Sequence, residues 1–299
     1  MPAQIEGRPV VVTGGANGIG AALALDAAAR GASTVAIVDV DEESAAGVAA
    51  QITADGGSAT VHACDVSDAV AVDALADQLI AAQGLPGLAI ANAGVMAPTG
   101  PLLEVAPADI EWLLGVNLRG VIHTLQSFGR PMAASGQGGW LLVTASEHAL
   151  GVPHLYGAPY TASKHAVLGA CDVLRSELPD HVGVSVLCPG LTASRLWNST
   201  ALRPDEFGGA LSGDSQSGAF MEATGMPAAT VAERALDGAE TGHFLIPTHY
   251  NARAYAESRA EEVTEAFDRL AEIDTADYDV GTLAARMLEQ TATAEEQRD

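Results

Sequence analysis

The sequence is poor in basic charge, cysteine and aromatic residues. Its 299 residues include 14 Lys or Arg against 38 Asp or Glu, a formal net charge of −24 at pH 7. This balance excludes nucleic acid and anionic membrane surfaces as expected partners, because both require clusters of basic side chains. The three cysteines, Cys64, Cys171 and Cys188, are far apart, and we interpret them as reduced thiols of a cytoplasmic protein.

Long hydrophobic runs and metal-binding spacings are also absent. No uninterrupted apolar stretch is long enough to span a bilayer. The first six residues carry no basic group of the kind that begins a signal peptide. None of the eight histidines shows His-x-x-x-His or His/Cys ligand spacing, so no metal is predicted.

What the chain does contain is a regular alternation of strand-like and helical patterns. Such alternation predicts βαβ units, and therefore an α/β fold with a Rossmann-type, doubly wound parallel sheet of about seven strands and helices on both faces. The predicted strands are Pro9–Thr13, Thr34–Val40, Thr60–Cys64, Leu88–Ala91, Trp140–Thr144, Val182–Leu187 and His243–Ile246. The predicted helices are Ala21–Arg30, Glu42–Ala54, one capped by Ser67 with the stripe Val70, Leu75 and Leu79, Pro107–Ala134 and Tyr160–Leu178.

Two segments depart from this alternation. Residues 191–226 are irregular and rich in Gly, Ser and Thr, and we call them the lid segment. Residues 251–299 hold 13 acidic and 5 basic residues. Val263, Phe267 and Leu270 have helical spacing there, which predicts a docked amphipathic helix followed by a frayed tail. We therefore predict one catalytic domain over residues 1–250, with the lid as an insertion, and an acidic helical extension over residues 251–299.

A glycine-rich loop follows the first predicted strand. It reads Thr-Gly-Gly-Ala-Asn-Gly-Ile-Gly over residues 13–20 and leads into a helix. Glycines let the backbone approach a pyrophosphate, which the free N–H groups at the helix start then bind. Asp39 ends the next strand, where a carboxylate accepts hydrogen bonds from ribose hydroxyls and repels a 2′-phosphate. No Arg or Lys lies in the loop or just after Asp39, so NAD is predicted rather than NADP.

A tyrosine and the only lysine of the chain form the second motif. Tyr160 and Lys164 are four residues apart, which places both side chains on one face of a helix. A neighbouring ammonium stabilises a phenolate and so lowers the tyrosine pKa from its ordinary value of about 10. The other 13 basic residues are all arginine. A guanidinium cannot take the place of a compact ammonium group whose pKa is adjustable. The presence of a lysine at this one position therefore points to a catalytic role.

With these motifs the chain resembles the short-chain dehydrogenase/reductases, in their compact single-domain subgroup. The resemblance covers about residues 7–250, and its motifs occur in the family's order. Besides the loop, Asp39, Tyr160 and Lys164, the matching positions are Asp65-Val66, Asn92-Ala93-Gly94, Asn117, Ser146 and Pro189-Gly190. Their joint occurrence makes the resemblance specific, although each motif alone is weak.

The resemblance implies a catalytic tetrad. In it, Tyr160 is the general acid/base, and Lys164 lowers its pKa and holds the nicotinamide ribose. Ser146 binds the substrate oxygen, and Asn117 supports a water that links Lys164 to solvent. The implied cofactor-binding residues are Gly14, Asn17, Gly18, Ile19, Gly20, Asp39, Asp65, Val66, Asn92, Ala93, Gly94, Tyr160, Lys164, Pro189, Gly190, Thr192 and Ser194, of which Thr192 and Ser194 would hold the carboxamide.

Three positions depart from the family pattern. Ala91 stands where many members have a second asparagine, and Ser194 replaces the more frequent threonine. Ser146 lies 14 residues before Tyr160, one more than usual, so a bulge is predicted between residues 151 and 159.

The substrate is predicted to be apolar and of moderate size, because the otherwise polar lid segment carries Trp197, Phe207, Phe220 and Met221. Candidate lining residues are His148, His154 and Tyr156, which lie between Ser146 and Tyr160, and Trp197 of the lid segment. The aromatic residues of the lid would equally well pin it to its own domain, and His148 is as compatible with an exposed loop as with a pocket wall.

These features predict an NAD-dependent oxidoreductase that interconverts a secondary alcohol and a ketone. A catalytically weak nucleotide-binding regulatory protein on the same fold is the alternative, although such a protein does not need the whole tetrad. A sugar-nucleotide epimerase of the extended subgroup is disfavoured by the spacing of the glycines. The resemblance also implies a homodimer or homotetramer formed through helices 107–134 and 160–178.

Overall fold

A seven-stranded parallel sheet forms the centre of the computed structural model, which describes residues 2–96, 98–212 and 215–271. The strand order is β3-β2-β1-β4-β5-β6-β9. The bounds are β1 Pro9–Thr13, β2 Thr34–Asp39, β3 Ala59–Ala63, β4 Leu88–Ala91, β5 Gly139–Thr144, β6 Val182–Cys188 and β9 Leu245–Pro247. A separate two-stranded pair joins β7 Thr192–Ala193 to β8 Met226–Pro227.

Helices cover both faces of the sheet, because the strands are apolar on both sides. Val10 and Val12 of β1 pack in one buried cluster, whereas Val11, which points to the opposite face, packs in another. The helices are α1 Gly18–Ala29, α2 Glu42–Ala54, α3 Ala69–Gln83, α4 Pro107–Leu114, α5 Val121–Ser135, α6 Ala158–Glu177, α7 Ser215–Thr224, α8 Ala228–Glu240 and α9 Arg253–Ala271. The prediction of a doubly wound α/β fold is therefore confirmed.

The topology places the candidate site. Strand β1 pairs with β2 on one side and with β4 on the other, so the chain winds in opposite directions from β1. Ligands of open parallel sheets bind at such a switch point, beyond the carboxyl ends of the strands. The glycine loop, Asp39 and Asn92 all lie at this edge, since each follows or ends one of these three strands.

The start of α3 corrects the prediction for its cap and its apolar face. Asp68, not Ser67, caps the helix, and its side chain accepts hydrogen bonds from the N–H groups of Val70 and Ala71. Val70 is 78% exposed, whereas Val72 of the same helix is buried. Leu79 is buried and Leu75 packs on the core, as predicted, so the stripe is wrong only at Val70, because the buried face of the helix begins at Val72.

The predicted helix Pro107–Ala134 is interrupted. A π-helical turn, Gly115–Gly120, separates α4 from α5. In such a turn each N–H group bonds to the carbonyl five residues earlier instead of four. Turns of this kind are frequent at functional sites. This one carries Asn117, which is fully buried.

The carboxy-terminal part forms a second compact unit. The first unit is Met1–Ala256, and the second is Glu257–Asp299. Helix α9 covers Val263, Phe267 and Leu270, as their spacing predicts, and the docking of this helix stays a prediction. The predicted frayed tail lies outside the described residues.

Across the described residues, no helix is both long and apolar enough to cross a bilayer.

Candidate active site

The glycine loop has the tight backbone that its sequence predicts. Gly14 and Gly18 have φ of 66° and 53°, in the left-handed region that favours glycine. A Cβ on Gly20 would lie 2.0 Å from the carbonyl oxygen of Gly14, so α1 starts directly against the loop. A Cβ on Gly18 would lie 2.9 Å from Cβ of Ser194, which brings the lid segment onto the loop.

Asn92 fixes this loop from the neighbouring strand. Its side-chain amide donates to the carbonyl oxygens of Thr13 and Gly14, at 3.2 and 3.1 Å. Its own oxygen accepts a hydrogen bond from the Thr144 hydroxyl at 3.0 Å. Asn92 was predicted to bind the cofactor. Its side chain holds in place the glycine-loop backbone, which would itself bind the cofactor.

Asp39 is held in place at the end of β2. Its two carboxylate oxygens accept hydrogen bonds from the N–H groups of Ala16 and Asp41, at 2.9 and 3.0 Å. Both donors are backbone groups, so the orientation of the carboxylate is set by the loop and by the start of α2. The remaining lone pairs can accept hydrogen bonds from ribose hydroxyls.

Asp65 and Val66 follow β3. Asp65 accepts a hydrogen bond from the N–H of Ser67 at 2.8 Å, which shapes the turn before α3. Val66 is buried, and a Cβ on Gly120 would lie 2.5 Å from its side chain, so this turn packs on the π-helical turn. Ile19 is half-buried against the core, and Ala93 lies against Gly14.

Tyr160 and Lys164 are brought together inside the protein. Lys164 Nζ lies 5.6 Å from the centroid of the Tyr160 ring and donates to the Thr144 carbonyl at 2.9 Å. Tyr160 and Lys164 are only 8% and 3% exposed. The helix that carries them, α6, starts at Ala158, so both lie in its first two turns.

Burial shifts the pKa values of this pair in opposite directions. Loss of water raises the pKa of Tyr160 to about 12, a rise that the Ser146 hydroxyl opposes through a hydrogen bond and the Glu147 charge increases. Loss of water lowers the pKa of Lys164 to about 8. Groups with such perturbed titration in a cleft are typical of active sites. The tyrosine is consequently a proton donor at neutral pH, and the ammonium is the charge available to stabilise its phenolate.

Asn117 bridges two parts of the site. Its side chain accepts from the N–H of Val95 at 2.8 Å and donates to the Val95 carbonyl at 2.9 Å. Both Asn117 Oδ1 and Lys164 Nζ lie within 3.7 Å of where a Cβ on Gly94 would stand. Asn117 therefore holds the segment after β4 close to the lysine ammonium.

The turn after β6 is stabilised by a histidine that the sequence did not single out. His249 Nδ1 accepts a hydrogen bond from the N–H of Gly190 at 3.0 Å, and Nε2 lies 3.0 Å from the Leu191 carbonyl. Thr192 donates its hydroxyl to the Gly190 carbonyl at 2.9 Å. The backbone after Pro189 is thus fixed where the lid segment begins.

Two of the four predicted pocket residues lie beside Tyr160. The His148 and His154 rings stack with centroids 4.7 Å apart, and each meets the Tyr160 ring edge-on at 5.9 Å. Burial and the neighbouring His148 lower the pKa of His154. Tyr156 instead is 54% exposed, with φ of 65° in the predicted bulge.

Trp197 packs on the lid itself. A Cβ on Gly218 of α7 would lie 2.4 Å from its indole ring. From the lid, Leu196 packs on the buried cluster formed by Leu113 and Tyr160, as Met96 does from the segment after β4. The Ser199 hydroxyl holds Met96 by accepting from its N–H at 2.7 Å and donating to its carbonyl at 3.0 Å. The sequence left Trp197 open between a pocket residue and a residue that pins the lid, and the neighbouring Leu196 gave no signal.

A parallel sheet with a glycine loop at its switch point and a buried Tyr–Lys pair beyond it defines a dinucleotide-type site. The family model for short chain dehydrogenases matches residues 8–204. The chain belongs to the short-chain dehydrogenase family.

Relatives in this family are dehydrogenases and oxidoreductases. The chain is 37% identical over 192 residues to the probable oxidoreductase EphD of Mycobacterium tuberculosis, a match that covers 64% of this chain but 32% of that protein. It is 35% identical over 194 residues to the D-threitol dehydrogenase of Mycolicibacterium smegmatis, covering 64% of this chain and 73% of that protein. The chain thus spans about a third of the first of these relatives.

Solved structures agree with the fold. A short-chain dehydrogenase/reductase from Burkholderia phymatum in complex with NAD superposes with a TM-score of 0.82 and 29% identity, over 88% of this chain and 96% of that one. A short-chain dehydrogenase from Novosphingobium aromaticivorans gives a TM-score of 0.73 and 28% identity, over 99% and 98% of the two chains. Neighbours bind nicotinamide cofactors of both kinds, NAD and NADP.

Proposed function

We propose that this protein is an NAD-dependent oxidoreductase that interconverts a secondary alcohol and a ketone. The observation that carries the proposal is the buried pair Tyr160 and Lys164, in which Lys164 Nζ lies 5.6 Å from the centroid of the Tyr160 ring and the Ser146 hydroxyl is hydrogen-bonded to the tyrosine. This pair shares the carboxyl edge of the sheet with the glycine loop and Asp39. A proton-transfer group and a dinucleotide cradle at one edge are the two parts that alcohol dehydrogenation needs.

The residues present fit a nicotinamide dinucleotide. The loop leaves a cradle at Gly14, Gly18 and Gly20 that Cβ atoms would fill, and the backbone N–H groups at the start of α1 would hold the pyrophosphate. Asp39 would hold the adenosine ribose, and Thr192 and Ser194 the carboxamide. When bound, this cofactor supplies or accepts the hydride.

The side chains perform the proton transfer. In ketone reduction, Tyr160 donates its hydroxyl proton to the substrate oxygen, which the Ser146 hydroxyl holds by a hydrogen bond. In alcohol oxidation, Tyr160 must accept that proton as a phenolate, and the Lys164 ammonium stabilises this state. Asn117 positions the segment beside Lys164 and, with a water, links its ammonium to solvent.

The preference for NAD rests on the charge around Asp39. Its carboxylate is followed by Asp41, Glu42 and Glu43, and two backbone N–H groups keep it oriented. A 2′-phosphate brought to this place would meet the Asp39 carboxylate, and three further acidic residues follow in the sequence. We expect kcat/KM with NAD to exceed that with NADP by orders of magnitude, and the variant Asp39→Ala to narrow the difference. A preference of the unmodified protein for NADP would contradict this assignment.

The substrate is proposed to be largely apolar and of moderate size. Leu113, Leu196 and Met96 pack at Tyr160, and the stacked histidines add one polar wall. A panel of secondary alcohols, followed at the absorbance band of NADH, tests this. It should include polyols, since relatives are named for threitol and sorbitol. Apolar carbinols should turn over with higher kcat/KM than polyols, and no turnover of any member would leave the regulatory alternative.

The protein is also proposed to be a homodimer or homotetramer assembled through α4–α5 and α6. Short-chain dehydrogenases are often oligomeric, and Val173 on α6 is an exposed apolar residue. Light scattering should give a mass at least twice that of the 30.4 kDa chain, whereas a monomer would refute the assembly.

A further inference from the structure

A cation reaches the candidate cofactor groove from a distant part of the chain. Arg195 begins a short 3₁₀ helix in the lid segment. Its Nε donates to Asn17 Oδ1 at 2.6 Å, and its Nη2 donates to the Ser44 hydroxyl oxygen at 3.2 Å. The same guanidinium lies 3.8 Å from a carboxylate oxygen of Asp41. One side chain thus joins the lid segment to two separate elements of the dinucleotide fold.

These partners belong to two different parts of the candidate cofactor site. Asn17 belongs to the glycine loop and immediately precedes Gly18, the residue against which Ser194 packs. Asp41 caps α2, and its N–H donates to Asp39, the candidate ribose ligand. The guanidinium therefore spans from the loop that would hold the pyrophosphate to the strand end that would hold the ribose.

Arg195 also changes the charge of a place that is otherwise acidic. The sequence puts no Lys or Arg in the glycine loop or just after Asp39, and three acids, Asp41, Glu42 and Glu43, follow there. Arginine binds phosphate oxygens through a planar fork of N–H donors. Among the residues that the structure describes, no partner is found for its Nη1, and the side chain is 56% exposed. A donor and a positive charge are available to a bound phosphate.

Building on the proposed function, we propose that Arg195 is a latch that retains the nicotinamide dinucleotide. It holds the lid segment across the groove through Asn17 and Ser44, and it donates to a phosphate of the bound dinucleotide. The pyrophosphate is the assigned phosphate, since Asn17 and Gly18 belong to its loop. The latch slows release of the cofactor and takes no part in proton transfer.

A purely structural ion pair would behave differently. Exposed pairs of this kind contribute little to folding stability. Replacing Arg195 should therefore leave the unfolding temperature of the cofactor-free protein nearly unchanged, while it changes the rate at which the dinucleotide leaves. Differences in affinity among variants of one site are expressed mainly in the dissociation rate.

The test measures NADH dissociation directly. Preformed complexes of the wild type, Arg195→Ala, Arg195→Lys and Ser44→Ala are mixed with excess ADP-ribose in a stopped-flow instrument, and the loss of bound-NADH fluorescence gives koff. Arg259→Ala is the matched control, because Arg259 is an exposed arginine paired with Glu262 on α9. Each protein is measured at low and high salt, with NADPH as a parallel ligand.

We expect Arg195→Ala to raise koff of NADH by about tenfold, Ser44→Ala by less, and Arg259→Ala not at all. Arg195→Lys should resemble Arg195→Ala, since an ammonium cannot bridge both partners. The wild-type koff should rise with salt more steeply than that of Arg195→Ala.

Three results would overturn the latch. They are a koff for Arg195→Ala within twofold of the wild type, an equal effect of Arg259→Ala, or an increase confined to NADPH, which would assign Arg195 to a 2′-phosphate. Failure of the proposed function looks different, because it would appear in the wild type itself, as binding of neither dinucleotide, as a preference for NADPH, or as NADH binding without turnover of any alcohol.

Discussion

Replacing Lys164 by methionine removes the one ammonium of the chain while keeping a side chain of similar length. The ammonium lies 5.6 Å from the Tyr160 ring centroid. At an effective dielectric constant of about 20, a charge at that distance stabilises the phenolate by about 3 kcal/mol. This equals about two pKa units, so the population of the reactive phenolate should fall by about 10²-fold. We expect kcat for alcohol oxidation at pH 7 to fall by at least that factor.

The same loss should appear in the pH profile. Without the ammonium, the pKa of Tyr160 rises further. The variant should therefore reach any given rate of alcohol oxidation at a pH about two units higher than the wild type does. The assay is the initial rate of NADH formation from pH 6 to 11, with thermal unfolding and NADH titration as checks that Lys164→Met folds and binds cofactor. Retention of more than a tenth of the wild-type kcat at pH 7 would refute the reasoning.

Two companion variants separate charge from geometry. Lys164→Arg keeps the positive charge. In the wild type, however, the ammonium occupies a buried site within 3.7 Å of where a Cβ on Gly94 would stand. The larger guanidinium does not fit into that site. We expect this variant to lose most turnover as well. Arg175→Met is the control, because Arg175 lies on the same helix, is half-exposed and pairs with Asp172. Its kcat should equal that of the wild type.

Three further perturbations follow from the geometry. Glu147→Gln removes a charge that raises the pKa of Tyr160, so the kcat/KM profile should shift to lower pH, and a shift to higher pH would contradict the assignment. Gly20→Ala should abolish NADH binding in a fluorescence titration, because its Cβ would lie 2.0 Å from a loop carbonyl oxygen; Gly47→Ala, where nothing lies within 4 Å, should bind normally. Burial raises the pKa of Cys171 to about 12, so its contribution to stability is present below pH 9 and lost as pH rises toward 12. Between pH 8 and 10, the urea-unfolding free energy of the wild type should therefore fall by about 1 kcal/mol more than that of Cys171→Ala, and equal losses would count against this account.

Most of the sheet could be predicted from local pattern. Strands β1 and β4 have the predicted bounds, because a strand buried on both faces leaves a continuous apolar run with polar or glycine-rich ends. The errors lie where competing local signals are close together. Ser67 and Asp68 are both good cap residues, and only the side-chain geometry chose Asp68. The π-helical turn in helix 107–134 runs from Gly115 to Gly120, and glycines in an otherwise helical pattern do not by themselves distinguish such a turn from a continuous α-helix.

The candidate site, like the fold, has features that the sequence predicted and features that only the structure revealed. The sequence by itself determined its chemistry: a glycine loop, an acid at a strand end, and a lysine retained four residues after a tyrosine where every other basic residue is arginine. These three features can be identified from the sequence because each depends only on neighbouring residues: on backbone freedom, on the end of a strand, or on helical spacing. None of them depends on which distant segments of the chain come into contact.

Only the tertiary structure decided which side chains surround that chemistry. It engaged Asn92 with the glycine loop, placed Leu196 rather than Trp197 at Tyr160, and brought Arg195 to Asn17, a residue 178 positions away in the sequence. Long-range contacts of this kind follow from how the lid segment packs on the sheet edge. Spacing along the chain does not predict that packing. In the folded protein the acidic stretch after Asp39 therefore lies beside the Arg195 guanidinium, which is 3.8 Å from a carboxylate oxygen of Asp41.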